Sequence, residues 1–403
     1  MARLRFCGFD YQATSGANPS SSTIAGMDLD KDCLYVSSSS DTSFFAPGNP
    51  ALSVKASGGR GPSSSSLGPL LYNSFQFPLD SSAGVMSCAV PRTAIGSPSQ
   101  IWATFDISYL AYGNADDPTN YMRAQARYQI FKFGDLSLRL RRIFNYNSTV
   151  NSVDVTFEAF NGTTSLGTIT ITSYLANATA WIFCRIYAKL DGSTGQFDIS
   201  LDGQSASYTG LNSVATTPLA SVNHLYFSGG ALGYATTTNA TVVAGVIDNL
   251  LLDDAAFPSG RPRGQRVAIA SDGTLTNWAS SSGGTLTLAL GSYDGTVARG
   301  TGTGATALLN LTSPSTTGLN GVLGWQIHAY GLSNVDTIAT KRLITGVDVS
   351  GTVTNGTYIS PQVPPAIPSY ISPGIDTLFY STGTTDFTLA SVPNTKLRLE
   401  VTA

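Results

Sequence analysis

Hydrolysis of a glycosidic bond needs two carboxylates facing each other across a cleft, about 5–10 Å apart. The stretch that comes nearest to such a pair on one strand holds Asp154 and Glu158. They sit in Val153-Asp154-Val155-Thr156-Phe157-Glu158-Ala159, where apolar and polar residues alternate. That period of two marks a half-buried strand. Residues i and i+4 of a strand share a face but lie about 13 Å apart, too far for a retaining pair. The expected role of both is an exposed polar face. Asp191, Asp198 and Asp202 invite comparison with a calcium site, which takes about six to eight oxygens. No compact D-x-D-x-D-G loop is present, so hairpin-turn and outer-face roles are expected. The two histidines, His224 and His328, lie in apolar strand patterns, and no G-x-S-x-G elbow supplies a nucleophile. Cys7, Cys33, Cys88 and Cys184 are scattered without a C-x-x-C pair, which reads as reduced, buried thiols rather than a zinc site. Gly58-Gly59-Arg60-Gly61-Pro62 lacks the Lys-Ser/Thr ending of a phosphate loop and reads as a surface loop. The expectation is a chain with no catalytic site, no metal and no cofactor.

Binding chemistry is better represented. From Arg123 to Arg142 lie six basic residues, and Leu136, Leu138 and Leu140 alternate with Ser137, Arg139 and Arg141. On a strand this sends leucines to one face and arginines to the other. Arg139, Arg141 and Arg142 are therefore candidates for docking an acidic partner, because the planar guanidinium fork grips carboxylates in pairs. The bland alternative is a solvated sheet face. Arg261, Arg263 and Arg266 form a second candidate docking trio. Tyr109, Tyr112, Asn114 and Asp116 are the cluster that would suit a carbohydrate. A net charge of −3 over 403 residues gives no support for nucleic acid as a partner, and no stretch approaches the ~20 apolar residues of a membrane-spanning helix. Met1 to Phe6 lacks the apolar run of a signal peptide, so synthesis in a cytoplasm is expected.

The elements that must position these residues are strands. Charged residues make up only 12% of the chain, Gly, Ser and Thr are abundant, and no long helical period appears, which together predict an all-β protein. The length calls for two domains. The most ordered pattern runs from Trp181 to Asp253. Trp181 to Ala188 reads as a strand and Leu190 to Gly195 as a turn. In Gln196 to Gly203, Phe197, Ile199 and Leu201 alternate with Asp198, Ser200 and Asp202, and Asp202-Gly203 closes a hairpin. Strands are expected at Val222–Phe227 and Gly245–Asp253. Upstream, Ile101 to Tyr109 reads as a long core strand, while residues 15–68 are Ser/Gly-rich loops with short strands near Tyr35 and Ser53. The Pro/Gly/Arg-rich piece Phe257 to Arg266 reads as a stiff linker. It divides a first domain, 1–256, from a second β domain, 267–403. Within the second, Gly324 to Tyr330, Leu343 to Val353, Asp376 to Tyr380 and Lys396 to Val401 read as strands.

The order Trp181, then Gly195 through Gly203, then Ile247-Asp248-Asn249-Leu250 resembles the second half of the concanavalin A-like (laminin G-like) sandwich. That resemblance implies a jelly-roll sandwich whose first strand lies beside its last. The opening Phe6, Gly8, Phe9, Asp10, Ala13 and Thr14 is similar to the start of a group of tailed-bacteriophage virion proteins. Asp272-Gly273 to Trp278 resembles a D-G-x-x-x-x-W stretch that follows the sandwich in the same group. Gly383 to Phe387 departs from the group by placing Phe387 where Trp is usual. The resemblance implies a concanavalin A-like jelly-roll sandwich plus a smaller C-terminal β-sandwich. It implies a structural component of a phage particle, in the head decoration, neck or collar, or tail. Its partners would be other virion proteins, in a homo-oligomer or repeated array. The alternative reading is a carbohydrate-binding module on the virion that holds a host surface glycan. A hydrolase stands third, because the E-x-D-x-x-E pattern of glycosidases on this sandwich is missing.

Overall fold

The computed structural model describes residues 3–7, 35–37, 53–55, 74–76, 87–112, 129–147, 149–150, 152–175, 181–227, 242–264, 267–291, 298–328, 342–359, 375–379 and 388–402. The chain forms two compact units, one of residues 3–264 and one containing residues 265–403. The protein is all-β; among the described residues the one α-helix, α1, spans Leu286–Gly291, under two turns.

The first unit contains β1 (Arg3–Cys7), β2 (Tyr35–Ser37), β3 (Ser53–Lys55), β4 (Ser74–Gln76), β5 (Ser87–Pro91), β6 (Gln100–Tyr112), β7 (Gln129–Phe133) and β8 (Leu136–Asn147). It continues with β9 (Ser152–Asn161), β10 (Thr164–Leu175), β11 (Ile182–Lys189), β12 (Gly195–Leu201), β13 (Gln204–Leu211), β14 (His224–Phe227) and β15 (Val242–Asp253). Two antiparallel sheets result. The first runs β13-β12-β11-β6-β15-β4-β3, with β1 also on β15; the second runs β10-β9-β8-β7-β14-β5-β2. The first and last strands do lie side by side, Phe6 opposite Leu251 and Cys7 opposite Leu250.

Alternation decides which face each strand buries. Ile182, Cys184, Ile186 and Ala188 point inward from β11, and Phe197, Ile199 and Leu201 from β12. From the other sheet, Leu136, Leu138 and Leu140 of β8 and Val155, Phe157 and Ala159 of β9 meet them. Phenylalanines lock the layers together. Phe131 of the second sheet stacks on Phe197 of the first at 6.0 Å, and Phe227 lies edge-on to Phe105 at 5.5 Å. The Cys184 thiol is fully buried here, and burial pushes its pKa well up, so it stays protonated.

One buried polar cluster breaks the apolar rule. Asp106 is fully buried in the middle of β6, opposite Phe183 on the outer face of the first sheet. A lone buried carboxylate is costly, so it must be paired. Its Oδ1 accepts Arg261 Nε at 2.6 Å, and its Oδ2 accepts Asn249 Nδ2 at 3.0 Å. Asn249 is the extra residue of a β-bulge, with φ of 50° and a register shift between Asp248 and Leu251. The bulge puts Ile247, Leu250 and Leu252 into the core together, which unbroken alternation would forbid.

Arg261 arrives on a strap. After β15, Asp253 caps the turn by accepting Ala255 N at 2.9 Å, and the chain folds back over the first sheet. Arg185 lies over the Phe257 ring at 4.5 Å, Arg261 over Phe183 at 5.2 Å, Arg261 Nη2 donates to the Trp181 carbonyl, and Gly264 N donates to Asn249 Oδ1 at 2.6 Å. Residues 257–264, expected as a linker, are thus bound to the first unit as its outer cover. Arg261 supplies charge and Pro262 is buried.

The second unit contains β16 (Ile269–Thr276), β17 (Trp278–Ser280), β18 (Ala298–Gly300), β19 (Thr306–Leu311), β20 (Gly324–His328), β21 (Arg342–Val349), β22 (Thr352–Ile359), β23 (Ile375–Phe379) and β24 (Thr395–Thr402). A five-stranded sheet runs β16-β19-β24-β21-β22, with β17-β18 and β20-β23 as separate pairs. The stretch Leu343 to Val353, expected as one strand, is two. Ser350 and Gly351 both take positive φ, 53° and 92°, and form a two-residue hairpin turn that Asp348 caps from Gly351 N. The Asp272-Gly273 to Trp278 stretch has concrete jobs. Asp272 accepts Leu286 N and Thr287 N at 2.8 and 2.7 Å, fixing the start of α1, and Gly273 lies against the Leu308 carbonyl where no Cβ would fit. Trp278 covers Gly300 in the same way.

The strap predicts a coupled stability effect. Arg261→Met should destabilise the first unit by about 3 kcal/mol, because it leaves the buried Asp106 carboxylate without its Arg261 cation. Asp106→Asn with Arg261→Met should cost clearly less than the two single changes summed. Urea unfolding of the four proteins measures this, and strict additivity would contradict the pairing.

Candidate functional site

β8 is an interior strand of the second sheet, so its outward side chains stand on a framework hydrogen-bonded from both sides. Arg139 is held down. Its guanidinium lies 4.1 Å from the Phe160 ring centre, Nε donates to Ser137 Oγ at 3.3 Å and Nη2 to the Gly162 carbonyl at 3.4 Å. Arg141 is exposed, with Nη1 3.6 Å from Glu158 Oε1. At 48% exposure this ion pair contributes only a fraction of a kcal/mol, on the order of 0.5. A partner carboxylate can therefore compete for Arg141. Lys132 of β7 lies over Tyr226 of β14, 5.9 Å from the ring centre, and extends the cationic face. The backbone of Arg142 pairs with Thr156, beyond a register shift that follows Leu140; its side chain lies outside the described residues.

The other expected residues are dispersed. Arg261 is committed to Asp106 within the first unit, Arg263 is in the strap, and Arg266 lies outside the described residues. Arg139 and Arg141 are thus carried on the second sheet, and Arg261 and Arg263 on the strap over the first. Of the carbohydrate cluster, Tyr109 and Tyr112 have backbone in β6, while Asn114 and Asp116 lie outside the described residues. His224 is half-buried beside Tyr226, ring centres 5.8 Å apart, and burial lowers its pKa, which keeps it neutral. His328 belongs to β20, its side chain outside the described residues.

The carboxylates of the first unit work as staples. Asp135, at the β7–β8 turn, accepts both the backbone N–H and the hydroxyl of Thr216 and so ties a long loop to the sheet. Asp154 accepts Ser173 N at 2.8 Å, and Glu158 accepts the Ser165 hydroxyl. Asp191 folds its own turn by accepting Ser193 N and Thr194 N at 2.8 and 2.7 Å. Asp198 accepts from Gln196 and Ser207, and Asp202 from Phe183 N. The turn and outer-face roles expected for Asp191, Asp198 and Asp202 are the observed ones. Among the described residues no three acids, histidines or cysteines gather as a metal site, and no helix is long and apolar enough to cross a membrane. Sequence reasoning missed Asp106 and Asn249. The available signal was an Asp inside the apolar run Ile101 to Tyr109, which demands a partner somewhere in the chain.

No protein-family model and no curated protein matches the sequence. Solved structures share parts of the backbone path. A β-glucanase catalytic domain from Podospora anserina is similar over 64% of this chain and 98% of its own, at 10% identity and a TM-score of 0.35. An alginate lyase is similar over 64% of this chain and 100% of its own, at 13% identity and a TM-score of 0.33. The binding domain of botulinum neurotoxin serotype C1 covers 93% of this chain and 95% of its own, at 10% identity and a TM-score of 0.29. Likeness at these values carries no activity or partner across to this chain.

The Asp191 turn predicts an acid-sensitive hairpin. Hydrogen bonds from Thr194 and Ser193 hold the Asp191 carboxyl at a pKa of about 2, below its ordinary 3.8. A depressed folded pKa contributes stability that is complete above the ordinary value and lost as pH falls through about 2. An NMR titration should place the Asp191 midpoint near 2, and Asp191→Asn should remove that acid transition from the neighbouring amides. A midpoint near the ordinary value would contradict the turn geometry.

Proposed function

We propose that this chain is a non-catalytic structural component of a tailed-phage particle, working through protein–protein contacts. The observation that carries the reading is the cationic outer face of the second sheet. Arg139 clamped on Phe160, exposed Arg141 and Lys132 over Tyr226 stand on interior strands of a rigid sandwich. Such a face suits an acidic neighbour, because a pre-set guanidinium loses little freedom on binding. The carboxylates give further support: they close turns and tie loops, which is what a building block needs. The phage assignment rests on the resemblance at Gly8-Phe9-Asp10, which lies outside the described residues, at Ile247-Asp248-Asn249 and at Asp272-Gly273 to Trp278; the last two contribute to the bulge and the helix cap described above. In a particle the chain would act as a homo-oligomer or in a repeated array, where symmetry multiplies weak contacts.

Two measurements test this reading. Quantitative mass spectrometry of purified particles should find the chain in multiple copies. Arg141→Ser, and the triple change of Arg139, Arg141 and Arg142 to Ser, should reduce incorporation while the purified chain keeps its circular dichroism spectrum. Absence from the particle contradicts the proposal, as does full incorporation of the triple variant. So does depolymerisation of a polysaccharide by the purified chain that one carboxylate substitution abolishes.

A further inference from the structure

The outer face of the first sheet is divided. The strap covers the region around Asp106 and Phe183. Further along the same strands, a different surface is laid out by register alone. Trp102 of β6 lies opposite Tyr187 of β11, Tyr187 opposite Asp198 of β12, and Asp198 opposite Ser207 of β13. The adjoining row is Gln100, Lys189 and Gln196. Trp102 and Tyr187 are both half-buried, their ring centres 4.6 Å apart and their planes tilted by 35°, so the two rings overlap at an angle and brace each other on this face.

The polar groups around it are oriented. Tyr187 donates to Gln100 Oε1 at 3.2 Å, which fixes the amide and leaves its NH2 without a partner among the described residues. Gln196 Nε2 and Ser207 Oγ donate to the two oxygens of Asp198 at 2.7 and 2.6 Å, fixing that carboxylate at the position opposite Tyr187. The Trp102 indole N–H has no partner among the described residues either, and it is not sealed from solvent. Lys189 sits next to Tyr187's row and donates to Thr194 at 3.0 Å.

We propose that the Trp102–Tyr187–Asp198 row binds a neutral pyranose unit of a polysaccharide. A pyranose ring has an apolar C–H face, which lies against an aromatic surface, and a rim of hydroxyls that both donate and accept. The row matches both parts. The part of the braced rings left exposed receives the face, the Trp102 N–H and Gln100 NH2 donate, and the fixed Asp198 oxygens accept. Charge selects a neutral sugar. Lys189 and Asp198 offset each other here, and the other cations of this face are engaged, Arg185 over the Phe257 ring and Arg261 on Asp106, so a polyanion gains little. Burial, and then the Asp198 charge, raise the Tyr187 pKa, which keeps the phenol a neutral donor. All these side chains stand on paired strands, so little order has to be gained on binding. The site goes beyond the protein–protein role proposed above and does not depend on it, since sugar binding and particle incorporation are measured separately.

The test uses the full chain, titrated with neutral gluco-, manno- and galacto-oligosaccharides and followed by tryptophan fluorescence and calorimetry. At least one should bind saturably, with little dependence on salt. Trp102→Ala and Tyr187→Ala should each weaken binding roughly tenfold. Trp102→Phe should retain most of it. Asp198→Asn preserves shape and guards against loss of fold as the explanation; it should weaken binding through the lost charged acceptor. The proposal is overturned if no oligosaccharide binds at concentrations on the order of 10 mM. It is also overturned if affinity is unchanged in both Trp102→Ala and Asp198→Asn, or if only charged sugars bind and salt abolishes the binding. Finding Trp102 covered by a second copy or by a protein partner would overturn it as well.

Discussion

A carboxylate in the middle of a β-strand, with no water in reach, must find a cation or a set of donors, and Asp106 governs the first unit through that requirement. Its two oxygens recruit residues from far apart in sequence: Asn249 from the last strand and Arg261 from beyond it. Satisfying Asp106 in this way also fixes what those residues carry. Asn249 can reach it only from a bulge, and the bulge sets the inward phase of Leu250 and Leu252. Arg261 can reach it only if the chain turns back after Asp253, and that turn lays Phe257 against Arg185. An apolar pair at 106 and 261 would pack without such demands, at similar or greater stability. What the ion pair adds is a single place for the strap.

The two outer faces of the sandwich are consequently unlike each other. On the first sheet, one end is closed by the strap and the other presents an aromatic pair beside a fixed carboxylate. On the second, arginine and lysine lie over aromatic rings, which holds their charge in place. Both faces rest on one core of interlocked phenylalanines, so a substitution that leaves that core intact can change one face independently of the other.

Much of the strand order was legible because burial imposes a period of two. Phe197, Ile199 and Leu201 against Asp198, Ser200 and Asp202 could be read as an inward and an outward row, and they are. The same holds for Leu136, Leu138 and Leu140. Where one residue breaks the period, the reading failed. Asn249 inserts itself into β15 with a left-handed backbone, and Ser350 with Gly351 splits a run that looked continuous. Partners set by register were out of reach for a different reason. Trp102 and Tyr187 are 85 positions apart and Asp106 and Arg261 are 155 apart; only the pairing of β6 with β11 and β15 brings such residues together. A proline-rich segment read as a connector because it cannot join a ladder, yet it needs no ladder to pack: a guanidinium, a ring and a backbone N–H hold it.

The pairing of β1 with β15 has a mechanical side. Arg3 stands opposite Asp253, so the chain enters and leaves the sandwich at the same corner. Tension applied between those two points would not shear the ladder as a whole. It would peel β1 from β15 one hydrogen bond at a time, the weak direction for a sheet. The strap shifts that loading. A pull transmitted from the second unit must first break Gly264 from Asn249 and Arg261 from Asp106 before it reaches β15. The buried ion pair thus serves as a strain relief for the seam where the sandwich closes.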